Sequence, residues 1–519
     1  MLSPDKPQNS KSSPVTGQPD SENDSKFFSR KEGLFQKVNH AQFVELLYTA
    51  GFSKEEILDI ELAYNFAKFG HYGQYRYGGE RYFEHPKQVA LALIKTRIEL
   101  SEMGFENEAK EAVTRDEIIK ALNHDIVEDT PFFAGRQISK EEARETIEWR
   151  LVHTYGPDVK DGILVLTKVE AGEDGLTKAE AKLASIEKIA NAPVSDQLVK
   201  LADRLHNIST LKHTPEEQQL RVLDATVSDY LPIFMTLADA ATVDELLKIQ
   251  RGVPAHALAA RLLTTRLVNE LNWLKSEERC KKTETPLPPR HKVAEESESL
   301  TARSEFRKVI EQSGLSIIDK QLIYYAYDLA EHGYAYEENP QGEKPSFVPI
   351  SLGTLRLIER LKPLDPERRD VQLIIGALLS GTLESSWIFG SNAVPQLNYR
   401  EISERNIEKL FGREVCRLVI SQTRDEAVRA GREGSVRNYA KSLREFGPRA
   451  TVLAMNRTLS ELLKAVNLPD DKKQQLIDYT EKYFLPVYRR FADATISYKE
   501  VAHGYLSDIN NTLKILKAN

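Results

Sequence analysis

Apolar residues recur at three- and four-residue spacings along most of this chain. Phe43, Leu46 and Leu47 begin the pattern, and Ile57, Leu58, Ile60, Leu62, Ala63 and Phe66 continue it. Ile118, Ile119, Ala121, Leu122 and Ile126 repeat it, as do Leu198, Val199, Leu201, Ala202 and Leu205. Such spacing lines up side chains on one face of a helix. Strictly alternating runs rich in β-branched residues are scarce, so an all-α chain is predicted. Two polar stretches interrupt the pattern. Residues 1–34 are rich in Ser, Pro, Asp, Asn and Lys, and they bury too little surface to offset the entropy of ordering, so a disordered tail is predicted. Residues 275–303 carry charge runs around Pro286, Pro288 and Pro289, the composition of a linker. The predicted organisation is therefore two helical domains, 35–274 and 304–519.

The two halves resemble each other. GGERYFEHP (78–86) aligns with QGEKPSFVP (341–349), and ALNHDIVEDT (121–130) with ALLSGTLESS (377–386). VKLADRLHNIS (199–209) meets VLAMNRTLSEL (452–462), and YLPIFMTLADA (230–240) meets FLPVYRRFADA (484–494). Each match is short, but their common order along the two halves points to a duplicated helical domain.

Composition narrows the class. With 519 residues, the chain is too long for one ordinary core. Hydrophobic residues make up 41% and charged residues 29%, the balance of a soluble globular protein. No run of about 18 apolar residues occurs, so no membrane span is expected. The first residues lack the apolar core of a signal peptide. Cys280 and Cys416 are too few for a disulfide framework, which suggests a reducing, cytoplasmic setting. A net charge of −7 argues against a nucleic-acid binder. A homo-oligomer stays open.

The candidate chemistry lies in the first half. Read as one helix, Asp116–Asp129 puts His124 four residues from Glu128 and Asp125 four from Asp129, so these groups share a face. Crowded carboxylates on an apolar helix are costly unless a cation offsets them, and mixed imidazole and carboxylate donors suit Mn, Fe or Zn better than Ca. Asp203 lies among Leu198, Leu201, Ala202 and Leu205, and His85 precedes Pro86 at a predicted helix start. His85, His124, Asp125 and Asp203 stand in the H…HD…D order that resembles the HD superfamily of phosphohydrolases. HYGQYRYGGERYFEHP (71–86), HDIVEDT (124–130) and VKLADRLHNISTL (199–211) resemble the three motifs of Rel/Spo-type alarmone hydrolase domains. The likeness covers about residues 40–245.

This resemblance implies an HD-type helical bundle with one Mn2+ ion, removing the 3′-pyrophosphate of ppGpp or pppGpp to give GDP or GTP. It implies His85, His124, Asp125 and Asp203 as metal ligands, with Glu128 and Asp129 orienting or deprotonating the attacking water. Arg76 matches the arginine that stacks on the guanine, and Asn207 and Thr210 match positions near the sugar. Tyr77 stands where the family carries a basic residue. Tyrosine stacks on a base but cannot neutralise a phosphate, so ppApp or NADPH remain alternative substrates. A non-catalytic nucleotide sensor is the alternative outside enzymology. His71, His153, His206 and His213 read as structural.

In the second half Val348, Ser380, Gly381 and Asn456 replace the four ligands, Asn339 replaces Arg76, and Glu384 alone keeps its carboxylate opposite Glu128. A catalytically dead copy with a packing or regulatory role is predicted. No strand-rich synthetase segment follows. The arginine-rich stretch 424–449 also contains interspersed acids, the pattern of a solvated helical face.

Overall fold

The computed structural model describes residues 37–135, 139–172, 175–239, 255–276, 297–335, 346–362 and 370–518. The predicted tail 1–34, most of the predicted linker and Asn339 lie outside the described residues. The protein is all-α, and among the described residues the only β pairing is an isolated bridge between Tyr75 and Arg81. The linker reading needs one correction. The helix Ser297–Glu311 begins inside the stretch assigned to the linker, and Arg303 is buried against Glu331 and Asp328.

Local sequence explains where several helices start. Asn39, Ser53, Thr114, Ser139, Thr177 and Asn398 each cap a helix, and a Glu or Gln three residues on returns a bond to the cap nitrogen. Each such box satisfies two backbone N–H groups that the first turn cannot pair.

The halves carry their closing elements in the same order. In the first, a 3-10 turn Leu211–His213 leads to the helix Glu216–Ala225, a π turn Thr226–Tyr230 and the helix Leu231–Asp239. In the second, Ala465–Asn467, Asp470–Tyr479, Thr480–Phe484 and Leu485–Ala494 repeat the series. π turns are rare. Both precede a proline, Pro232 and Pro486, whose ring would otherwise strike the carbonyl one turn back.

One apolar core runs through both halves. At their junction Arg150 donates to Asp328 (Nη2–Oδ2, 2.7 Å), and Thr154 and Tyr325 share a hydroxyl bond of 2.7 Å. Trp149 stacks on His153, whose Nε2 meets the Leu410 carbonyl at 2.6 Å. Asp59 takes Arg405 and Lys409 from the second half at 3.1 and 2.8 Å. His153 thus packs at this junction. No helix among the described residues is long and apolar enough to cross a membrane.

Candidate metal centre and active site

Three helical segments aim their side chains at one buried point. His85 lies in the first turn of the helix Glu84–Glu102, where Pro86 is tolerated because early N–H groups have no helical acceptor. Asp203 sits midway along the helix Val194–Ser209. His124 and Asp125 do not belong to the single helix expected over Asp116–Asp129. The chain forms Arg115–Asn123, breaks at His124–Asp125, and resumes as Ile126–Asp129. Both residues keep right-handed backbone angles, and at this break both side chains reach the same centre.

The four side chains are in close contact. His85 Nε2 lies 3.3 Å from Asp125 Oδ2 and 3.2 Å from Asp203 Oδ1. His124 Nε2 lies 3.3 Å from Asp125 Oδ2, 3.7 Å from Asp203 Oδ1 and 3.2 Å from His85 Nε2. His85, His124 and Asp203 together form a triad able to hold a metal ion. Their outer bonds prepare them for it. His124 Nδ1 donates to the Ala121 carbonyl (2.8 Å), which leaves its Nε2 lone pair facing the centre. His85 Nδ1 meets His206 Nδ1 at 2.8 Å, and Arg76 approaches the same His206 nitrogen at 3.3 Å. Arg76 can only donate, so His206 Nδ1 accepts, His85 carries its proton on Nδ1, and its Nε2 is also free for a ligand.

The electrostatics favour positive charge at this point. Burial disfavours the His124 cation, yet Asp125 and Asp203 outweigh it and raise its pKa to about 10. Burial opposes ionisation of Asp203, but Lys200 and the two imidazoles hold it well below the usual carboxylate range. Lys200 pairs with Asp203 Oδ2 at 3.0 Å, leaving Oδ1 for the histidines. The donor set thus fits a divalent cation, which would displace the proton.

The expected substrate residues gather beside this cluster. Arg76 lies on a tight turn in which Tyr82 N donates to Gln74 O at 2.8 Å and Gly79 takes the left-handed conformation (φ +82°). Arg76 donates to Asn207 Oδ1 (2.8 Å) and Thr210 Oγ1 (3.3 Å), and Asn207 donates to Asp203 Oδ1 (2.6 Å). Tyr77 is half-buried and has no hydrogen bond or ring contact among the described residues. Glu128 turns from the cluster to Lys168, accepting from its backbone N (2.6 Å) and Nζ (2.7 Å). Asp129 stays close, joined to Asp125 by the Tyr82 hydroxyl, which donates to both at 2.6 and 2.9 Å. Burial and these two carboxylates push the Tyr82 phenol well above its usual pKa, so it remains a donor.

Two contributors escaped the sequence reading. Tyr82 belongs to the YFEHP motif, but nothing in the sequence shows which acids it bridges. His206 was read as structural, although its position three residues after Asp203 placed it on that helical face. His71 stacks on Tyr82 and meets Gln74 at 2.9 Å through Nδ1, while its buried Nε2 has no hydrogen-bond partner among the described residues.

Part of the chain is similar to known proteins. The chain is 32% identical over 177 residues to a GTP pyrophosphokinase of Myxococcus xanthus, 34% of this chain and 20% of the relative. It is 30% identical over 207 residues to a guanosine-3′,5′-bis(diphosphate) 3′-pyrophosphohydrolase of Borreliella burgdorferi, covering 39% of this chain and 25% of the relative. A protein of the same name from Haemophilus influenzae is 30% identical over 170 residues, 32% of this chain and 21% of the relative. Over about a third of its length the chain is similar to Rel/Spo-type alarmone enzymes. The match spans a fifth to a quarter of those relatives. They are named for both making and breaking alarmones, so the names alone do not choose between the two. No family model matches the chain.

Proposed function

We propose that this protein is a metal-dependent 3′-pyrophosphohydrolase of guanosine alarmones, converting ppGpp or pppGpp to GDP or GTP and pyrophosphate. The observation that carries the reading is the convergence of His85, His124, Asp125 and Asp203 on one buried point beside Asp129 and Arg76. A divalent cation, Mn2+ by the mixed nitrogen and oxygen donors, would supply a lowered water pKa and a counter-charge for the phosphate.

The chain's own residues do the rest. Asp129 has its Oδ2 engaged by Tyr82, which leaves Oδ1 to accept the proton of water. General-base help of this kind contributes roughly 10²–10⁴ in rate. Glu128, with both carboxylate oxygens taken by Lys168, steadies the short helix that carries Asp129. The water oxygen bonds to the phosphorus on the ribose 3′ oxygen, the P–O3′ bond breaks, and the leaving oxygen takes up a proton. Arg76, held by Asn207 and Thr210, offers a flat cation to the base. The reading assigns residues 35–274 to the hydrolase and 304–519 to a degenerate second copy. A shared contact supports that assignment: Glu384 accepts from Arg424 N at 2.5 Å, as Glu128 does from Lys168 N.

Purified protein with Mn2+ should release pyrophosphate from ppGpp and pppGpp, read by ion-exchange chromatography. ppApp and NADPH belong on the same panel, because Tyr77 brings no cation to the site. His124→Ala and Asp203→Ala should abolish turnover. Turnover surviving in both variants, or no turnover of any guanosine alarmone, would overturn the reading.

A further inference from the structure

The second half has lost its metal ligands but has not closed over the gap. A cleft of about 260 Å³ lies between the helices Val348–Leu361 and Pro448–Lys464 and the turn at Ser380–Gly381. These are the counterparts, in order along the chain, of the elements that carry His85, Asp203 and His124–Asp125. Metal binding is excluded here by more than sequence. Gly381 adopts φ +87°, and a Cβ on it would lie 2.5 Å from the Tyr334 hydroxyl, which donates to the Ser380 carbonyl. A carboxylate cannot return to that position.

A domain kept only for packing should fill such a space with side chains. Here Gly353 lines the cleft within a helix, where glycine costs about 1 kcal/mol relative to alanine, and its missing side chain lets Ser460 and Asn456 approach. A Cβ there would sit 2.9 Å from Ser460 Oγ and 3.3 Å from Asn456 Nδ2.

The charges around the cleft do not cancel. Arg457 is taken by Glu384 and Glu461, and Arg424 by Glu461. Lys464 on the cleft wall and Arg356 behind its floor have no carboxylate at ion-pair distance among the described residues. Arg356 donates to Ser460 Oγ at 2.6 Å, and its buried Nε has no partner. Burial lowers the pKa of Arg356, a penalty that a bound anion would relieve. Pro349, Ile350 and Leu453 add apolar surface to the cleft.

We propose that this cleft binds a small phosphorylated ligand without a metal ion, with its phosphate toward Lys464, Arg356 and Ser460 and its organic part against the apolar surface. It is a second, non-catalytic site, and it does not rest on the hydrolase reading.

The test is calorimetric titration of the full chain in EDTA with pyrophosphate, GDP and guanosine as separate probes. Pyrophosphate, GDP or both should bind at one site per chain, and guanosine should not. Lys464→Glu and Arg356→Leu should each weaken binding at least about tenfold, the scale of one charge-assisted bond. Lys464 is exposed, so that variant should keep its melting temperature. His124→Ala should bind as wild type does. Absence of binding by both phosphates would refute the proposal, as would binding lost in His124→Ala but intact in Lys464→Glu.

Discussion

Asp328→Asn tests how firmly the second half is joined to the first. Asp328 accepts from Arg150 across the junction, with side chains only 11% and 2% exposed, and from Arg303 at 3.1 Å. Asparagine keeps the size and one acceptor but leaves Arg150 without its counter-charge and Arg303 with Glu331 alone. Removing one partner of a buried ion pair costs about 3–5 kcal/mol. A second route gives a similar figure. Burial raises the Asp328 pKa, but Arg150 and Arg303 more than offset it and bring it from 3.8 to about 2. A lowering of roughly two units corresponds to about 2–3 kcal/mol. The folded pKa lies below the unfolded one, so this stability is fully present above about pH 4. It is lost as pH falls through about 2, where Asp328 takes up its proton in the folded state as well. Urea unfolding followed by tryptophan fluorescence is the assay, because Trp149 stacks at the junction. The variant should lose about 3 kcal/mol at neutral pH and converge with wild type near pH 2. A loss under about 1 kcal/mol at neutral pH, or a difference that ignores pH, would refute the reasoning.

Three further outcomes follow from the site and its supports. His206→Ala removes the acceptor that fixes the His85 tautomer, and Mn2+ affinity should fall about 10- to 100-fold by calorimetry while the melting temperature holds. Tyr82→Phe deletes the hydroxyl shared by Asp125 and Asp129; kcat for ppGpp should drop about tenfold or more, with KM little changed. An unchanged kcat would remove Tyr82 from the mechanism. Thr114→Ala breaks the capping box ahead of His124, and thermal unfolding should show a loss of about 1 kcal/mol.

The sequence alone carried the helical class, because three- and four-residue apolar spacing is a local property of the chain. It also pointed to the residues that meet in the candidate metal cluster, since their motifs are contiguous and their residue types are chemically restrictive. The proposed duplication draws on the same kind of signal: short matches keep a common order, and π turns stand before both Pro232 and Pro486. The tertiary structure decided what depends on residues far apart in the chain. Only the fold broke the helix at His124–Asp125, put His206 against His85, and carried the Tyr82 hydroxyl to Asp125 and Asp129. Only the fold left a cleft in the second half where the sequence showed merely missing ligands. Spacing along a helix determines which side chains share a face, whereas packing between helices determines what that face meets.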